Sequence, residues 1–476
     1  MKFLLFRVMP LLLLPVLSIA QTQPFNGEAL LEDTRYLQQA LYEIHPSPFR
    51  YNSRDSIDHL FATLETIAGS GMSLLAFEQE INKILTSVGC IHTDARRKLQ
   101  KPHKGTPRPR ILPFEFFTDG ENLWTARAPL DTFHEYEWQK ILGMDDYETK
   151  TLLGKLMQYH PSDGYNTTFM TRLLSRGANF SKLYQSYFDT DSLVQFTFLM
   201  NGTDTTITVI PKLPAQSAAS APKEAENEKK WDYSVKNHFF SEEEQWALLK
   251  INSFNPYKWK TRKFYRDIFE TLQEKGTSRL VIDVRDNLGG SINDANMVLR
   301  HILDENFVIL LERKQAPTFK YSNALSKFHF LLFSMKRGLE CRKKYQRDGL
   351  KIKEFKVRVS KKNNFDGEVY LLTNGYSASS SSYLASLLKY KKEAVVIGEE
   401  SGGGAAGNNG LYYTTVKLSN TGIQVRIPFY WLDYQLIQDE GRGVMPDVPI
   451  RYTIEDLKQK RDLEMDWIRA NLNTER

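Results

Sequence analysis

The stretch 368–388, EVYLLTNGYSASSSSYLASLL, constrains the fold of this chain more than any other. Val369-Tyr370-Leu371-Leu372 is an apolar run with the length and β-rich character of a buried strand. Thr373-Asn374-Gly375 is a turn signal. Serines follow at 377, 379, 380, 381 and 382, and Tyr383, Leu384, Leu387 and Leu388 then fall at helical spacing. The pattern predicts strand, sharp turn and helix, with serines at the helix N-terminus. Unpaired backbone N–H groups and the positive end of the helix dipole gather there. A hydroxyl held at that point can attack a carbonyl, and the same N–H groups can hold the oxyanion that forms. Serine is also a favoured helix N-cap, so a capped, solvated bend is the plainer reading of the same residues.

The rest of the core reads as alternating β and α units. Strands are predicted at Ala247-Leu248-Leu249-Lys250-Ile251, Leu280-Val281-Ile282-Asp283-Val284, Phe307 to Leu311 and Ala394-Val395-Val396-Ile397. Helices carry Phe264, Ile268, Phe269 and Leu272, and then Asn296 to Ile302. Such alternation implies a mainly parallel sheet with helices on its faces. Ligands of such sheets bind at the carboxyl ends of strands, where the serine turn and Arg285-Asp286-Asn287-Leu288-Gly289-Gly290 both lie.

Upstream, three apolar stripes predict helices within 21–105: Leu30 to Ile44, closed by His45-Pro46, then Ile57 to Ile67, then Leu74 to Leu85. Gly89 suits a helix stop and leaves His92 on a loop. Residues 106–212 change character, with strands at 113–117, 123–126, 193–199 and 206–210, a hairpin signal at Asn201-Gly202, and short helices near 148–157 and 168–174. This is a small α+β module. Residues 213–230, LPAQSAASAPKEAENEKK, read as a linker. The core, 231–476, carries an insertion at 312–362 rich in Lys314, Lys320, Lys327, Lys336, Arg337, Arg342, Lys343 and Lys344, expected to be a solvated, mobile surface.

Lys2 and Arg7, the apolar run to Leu17 and the small residues Ser18-Ile19-Ala20 describe a secretory signal peptide over 1–20. Export to the periplasm or the exterior is expected, with no cysteine at the cleavage point for a lipid anchor and no stretch suited to stable membrane insertion. The net charge of +6 over 476 residues is too mild to mark a nucleic-acid binder. Cys90 and Cys341 could pair in an exported chain or stay free, and no spacing of metal ligands is visible. No cofactor is expected, and oligomeric state is not readable.

Taken together, VIDVRDNLGG (281–290), TNGYSASSSSY (373–383), AVVIGEESGGG (394–404) and DEGRGVMPDVPI (439–450) resemble the motifs of the tricorn-like and C-terminal-processing (tail-specific) serine peptidases. LYEIHPSPFRY (41–51) and VGCIHTDA (88–95) resemble that family's N-terminal helical cap. The resemblance implies an α/β protease core of crotonase/Clp-like ββα units, with the helical cap at 21–105 and a degenerate PDZ-like module at 106–212. It implies a nucleophile at Ser379 and oxyanion donors from Ser380 and from Gly289 or Gly290. The processing branch takes its base from a lysine where this chain has Gly404, so a serine–lysine dyad is excluded. The tricorn-like branch uses a histidine from the cap and a supporting glutamate, which fall on His92 and Glu440. The implied activity is an exported serine endopeptidase acting on peptides or unfolded proteins. Ile91 stands where relatives carry a hydroxyl residue that links the histidine to the glutamate. Ser382 stands where many relatives carry a glutamate. These departures motivate an alternative: a catalytically impaired relative that binds a peptide or an apolar ligand in the same cleft.

Overall fold

The computed structural model describes residues 25–96, 111–128, 131–188, 193–211, 233–235, 238–243, 246–255, 258–315, 319–321, 327–332, 335 and 341–472. The signal peptide (1–20) and linker (213–230) expected from sequence lie outside them.

A seven-stranded sheet organises the core. Its strands run in the order Val448–Pro449, Val395–Gly398, Glu368–Thr373, Arg279–Asp283, Ala247–Ile251, His238–Glu242 and Tyr233–Val235. The first five are mutually parallel, His238–Glu242 pairs antiparallel with the fifth, and Tyr233–Val235 pairs antiparallel with His238–Glu242. Both faces are buried, and period-2 alternation sorts the side chains between them. Ala247, Leu249, Ile251, Leu280 and Ile282 join the main core, beneath the helices Lys258–Lys275, Ile292–Leu299 and Ser380–Lys392. Leu248, Val281 and Leu372 face the C-terminal helix Leu463–Leu472 through Met465 and Ile468.

A second sheet, antiparallel throughout, closes the other side of the main core. It runs Asp94–Arg96, Gln424–Asp433, Phe307–Lys314, Leu350–Val357, Cys341–Arg347, with Gly407–Lys417 also paired to Gln424–Asp433. Two expectations are corrected here. Phe307–Lys314 belongs to this sheet and not to the parallel one. The basic insertion is not simply a mobile surface: its Cys341–Arg347/Leu350–Val357 hairpin extends the sheet, with Ile352, Phe355 and Val357 buried and Lys351, Lys353 and Lys356 half-buried between them.

The leading segment forms three helices, Gly27–Ile44, Arg54–Ala68 and Leu74–Ser87, each capped by a polar side chain from Asn26, Ser53 or Ser73. Their apolar stripes enter the main core. The 111–211 module builds its own antiparallel sheet, Glu115–Thr118, Leu123–Arg127, Lys140–Met144, Val194–Met200 and Thr203–Val209, around Phe114, Phe116, Phe196 and Phe198. The turn at Asn201-Gly202 has positive φ at both residues, the twist a two-residue hairpin needs. No described helix is long and apolar enough to cross a membrane.

Candidate active site

Strand, turn and helix follow one another as the sequence predicts: Glu368–Thr373, a turn through 374–378, then Ser380–Lys392. Ser379 is the N-cap, at φ 55° and ψ −117°. A non-glycine residue held there stores about 1–3 kcal/mol of strain. Its side chain makes no capping hydrogen bond, so the ordinary role of a serine at this position is unfilled. The neighbouring hydroxyls are otherwise placed. Ser377 Oγ donates to the Val284 carbonyl at 2.8 Å and accepts the Asn374 N–H at 3.1 Å. Ser380 Oγ donates to the Gly290 carbonyl at 2.9 Å, and Ser382 Oγ to the Ser377 carbonyl at 3.4 Å. Ser381 is fully buried. Ser379 opens instead onto a cleft of about 270 Å³ lined also by Gly290, Ser380, Tyr383, Asn408 and Leu411.

Backbone N–H groups face the same space. The Gly289 N–H is spent on Asn287 Oδ1 at 2.8 Å. Those of Gly290 and Ser380 have no acceptor among the described residues, Ser380 being the first residue of its helix. Of the two glycines expected to serve, Gly290 therefore has the free donor. Gly289 supplies space. Its φ is +92°, and a Cβ there would stand 2.6 Å from the Ala378 carbonyl oxygen and 2.7 Å from Ser380 N. Gly403 does the same from the other side, where a Cβ would overlap Ser382 Oγ and lie 2.9 Å from Ser379 N. The loop after Val395–Gly398 thus packs on the serine turn, and none of the described residues lining the cleft is a lysine.

The module holds this turn from outside. Arg172 makes a bidentate pair with Glu399 at 2.7 and 2.6 Å, and Glu399 Oε2 also accepts the Gly375 N–H at 3.0 Å. Asn166 Nδ2 donates to the Ser401 carbonyl at 2.9 Å, Thr168 Oγ1 donates to the Glu400 carbonyl at 3.1 Å, and the Phe169 and Tyr376 rings stack.

His92 lies in the loop between Leu74–Ser87 and Asp94–Arg96, as its position after Gly89 predicts. Burial, reinforced by the nearby Arg426 charge, lowers its pKa to about 4, against the opposite pull of Asp94 and the Asn409 backbone carbonyl. The ring is therefore neutral near pH 7 and can accept a proton. No hydrogen bond joins it to Ser379 Oγ. Gly403 packs on Ser379, and the next residue, Gly404, donates its N–H to Asp163 Oδ2 at 3.4 Å. A carboxylate oxygen of Asp163, a ring nitrogen of His92 and Cys90 Sγ all lie within 4.8 Å of one another.

Glu440 is not brought to the imidazole. Asp439 accepts the Gly441 N–H at 2.9 Å and is clamped by Arg50 and Tyr51, which leaves Glu440 exposed. Its charge is felt by Tyr390, at the far end of the nucleophile helix. Two carboxylates stand near His92: Asp94, whose charge acts on the ring, and Asp163, which sequence reading passed over. It accepts the Ile91 N–H at 2.9 Å. The backbone of Ile91, whose side chain cannot hydrogen-bond, thereby makes the link between histidine loop and carboxylate. Burial raises the Asp163 pKa to about 7, with the nearby Asp439 adding to it and the Ile91 and Gly404 N–H groups opposing. Pro161-Ser162-Asp163-Gly164 reads in sequence only as a turn.

Residues 245–450 match the family model described as peptidase family S41. No curated protein sequence matches the chain. Among solved structures, mature CPAF aligns with a TM-score of 0.62 at 13% identity, over 91% of this chain and 94% of its own. Mature CPAF complexed with lactacystin gives 0.61 at 13% identity, over 91% and 96%. A serine-to-alanine variant of CPAF gives 0.64 at 14% identity, over 91% and 95%. At these identities the likeness is one of fold.

Proposed function

We propose that this chain, whose residues 245–450 match the model of peptidase family S41, is a serine-type peptidase of that family, an exported endopeptidase cutting peptides or unfolded proteins through an acyl-enzyme on Ser379. The observation that carries this reading is a strained N-cap serine whose hydroxyl, spared from capping, opens on a cleft beside two unpaired backbone N–H groups.

In this reading Ser379 Oγ attacks the scissile carbonyl and His92 takes its proton. The oxyanion is held by the N–H groups of Gly290 and Ser380, with the dipole of Ser380–Lys392 behind them. Asp163 stabilises the imidazolium as it forms. The protonated ring then gives its proton to the leaving amine. Water, activated by the same neutral imidazole, releases the acyl group and restores Ser379. The 2.9 Å bond from Ile91 N–H to Asp163 supports a working link despite the apolar side chain at that position. The glycines around Ser379 let the backbone of Phe254 and of the serine turn pack closely, which holds Ser379 in place.

Two finer assignments belong to the same proposal. The parallel core is of the crotonase/Clp-like ββα kind. The 111–211 module is a degenerate PDZ-like domain whose outer strand Thr203–Val209, paired among the described strands only with Val194–Met200, is open to a peptide added as a further strand.

Replacing Ser379 with alanine is expected to abolish hydrolysis of denatured casein, and a fluorophosphonate is expected to label the unmodified chain at Ser379 alone. Casein turnover that survives Ser379→Ala rejects the assignment. Turnover of small esters without casein would redefine the substrate while keeping the nucleophile.

A further inference from the structure

We propose that Cys90, His92 and Asp163 form a binding site for a thiophilic divalent cation of the zinc class, and that its occupancy switches the peptidase off. The second half rests on His92 being the base; the first half does not.

The three donors come from two separate segments. Cys90 and His92 stand two residues apart on the loop after the third helix, and Asp163 arrives from the module, so no spacing in the sequence betrays the cluster. Cys90 is a free thiol with no exposure, and Asp163 is 4% exposed. His92 Nδ1 is buried and has no hydrogen-bond partner. Thiolate, imidazole and carboxylate are the ligand types of zinc, and a thiolate disfavours magnesium and calcium. Tetrahedral zinc with bonds of 2.0–2.3 Å places its ligand atoms about 3.5 Å apart. The atoms here lie within 4.8 Å of one another, so closure asks for about an ångström of side-chain movement at each.

Charge balance fits a dication. Binding releases the Cys90 proton to solvent, and a thiolate plus a carboxylate then neutralise the metal. Arg426, whose charge reaches Cys90 and His92, is paired with Asp94 at 2.8 Å and donates to the Ile91 carbonyl at 3.3 Å. Asp439, whose charge reaches Asp163, adds negative potential. With its lone pair on a metal, His92 cannot take the Ser379 proton, which gives the site a regulatory consequence.

Binding is tested in the full-length Ser379→Ala chain, kept reduced with a phosphine, so that no peptidase activity is required. Equilibrium dialysis against zinc chloride is expected to retain one zinc per chain. Cobalt(II) is expected to give a thiolate-to-metal charge-transfer band in the near ultraviolet. Adding Cys90→Ala should remove the band and weaken zinc binding by at least ~10-fold, a loss that even outer-shell changes can cause. Near-ultraviolet circular dichroism checks that this chain folds, and the cobalt band of the chain that retains Cys90 decides the matter if it does not. Absence of the band, or zinc retained equally without Cys90, overturns the site. In the chain with Ser379 intact, micromolar zinc is expected to stop casein hydrolysis and a chelator to restore it. Full activity with zinc bound overturns the switch, while a chain with no casein activity and no fluorophosphonate adduct overturns the peptidase reading instead.

Discussion

Ser379 occupies a backbone conformation that glycine adopts freely and serine does not. The turn enforces it: Ala378 N–H donates to the Asn287 carbonyl at 3.1 Å, and Asn374 Oδ1 accepts the N–H groups of Asp286 and Tyr376 at 3.1 and 3.0 Å. Ser379→Gly should therefore exchange chemistry for stability. Relief of strain, less the extra freedom glycine gives the unfolded chain, is expected to raise the unfolding free energy by about 1 kcal/mol. Hydrolysis should fall to background. An unchanged or lower urea midpoint would mean that the turn stores no strain. The setting of Ser379 was legible because strand, turn and helix each leave their own mark in the residues around it. Asp163 was not, since an aspartate before glycine marks a turn whatever stands across from it. Glu440 had a motif to recommend it, but its side chain is exposed and its charge is felt at Tyr390.

Among the elements, the short helix Thr168–Leu174 does most to hold the nucleophile turn from outside. Arg172 alone satisfies both oxygens of Glu399, which also takes the Gly375 N–H. Arg172→Met leaves that half-buried carboxylate without its cation and is expected to cost about 1–3 kcal/mol in urea unfolding. Arg172→Lys should recover only part of the loss, because an ammonium cannot make the two parallel bonds of the guanidinium. Full recovery by lysine would show that charge matters here and geometry does not. The strands and helices of the parallel sheet were readable, being buried on both faces and so written as short apolar runs. The antiparallel sheet was mostly missed. Gly407–Lys417 opens with glycine and asparagine, and Gln424–Asp433 contains Pro428, which sits beside the register shift where a strand can accommodate it. In Leu350–Val357 the lysines fall on both faces between Ile352, Phe355 and Val357, so no clean apolar–polar alternation marks the strand.

At the scale of the molecule, the order of cap, module and core follows from the sequence, but their convergence does not, because it depends on contacts between residues far apart in the chain. Gly164 N–H donates to the Gly89 carbonyl at 3.0 Å and Tyr165 N–H to the Gly441 carbonyl at 2.8 Å, which knots all three segments beside Asp163. Three titratable groups, His45 and Asp163 buried and His92 half-buried, shift with differing signs. Burial lowers His45, at the end of the first helix, to about 3 and His92 to about 4, both from 6.5. The stability they contribute is complete above pH 6.5 and is lost as pH falls toward those values. Burial raises Asp163 from 3.8 to about 7, so its contribution is complete below pH 3.8 and is lost as pH rises through about 7. Between about pH 4 and 6.5 two histidines act against one aspartate, which leaves a net gain with rising pH. Above 6.5 only the aspartate still titrates, so these groups place the stability maximum near pH 6.5. Each proton is worth about 1.4 kcal/mol per pH unit. His92→Ala should therefore lower the slope of unfolding free energy against pH by about one proton between pH 4.5 and 6, read from urea titrations at closely spaced pH values. The loss above 6.5 should persist in that variant, because Asp163 remains buried. An acid-side slope that survives His92→Ala would mean that the imidazole charges in place without cost, and a neutral general base buried at the junction would have to be given up.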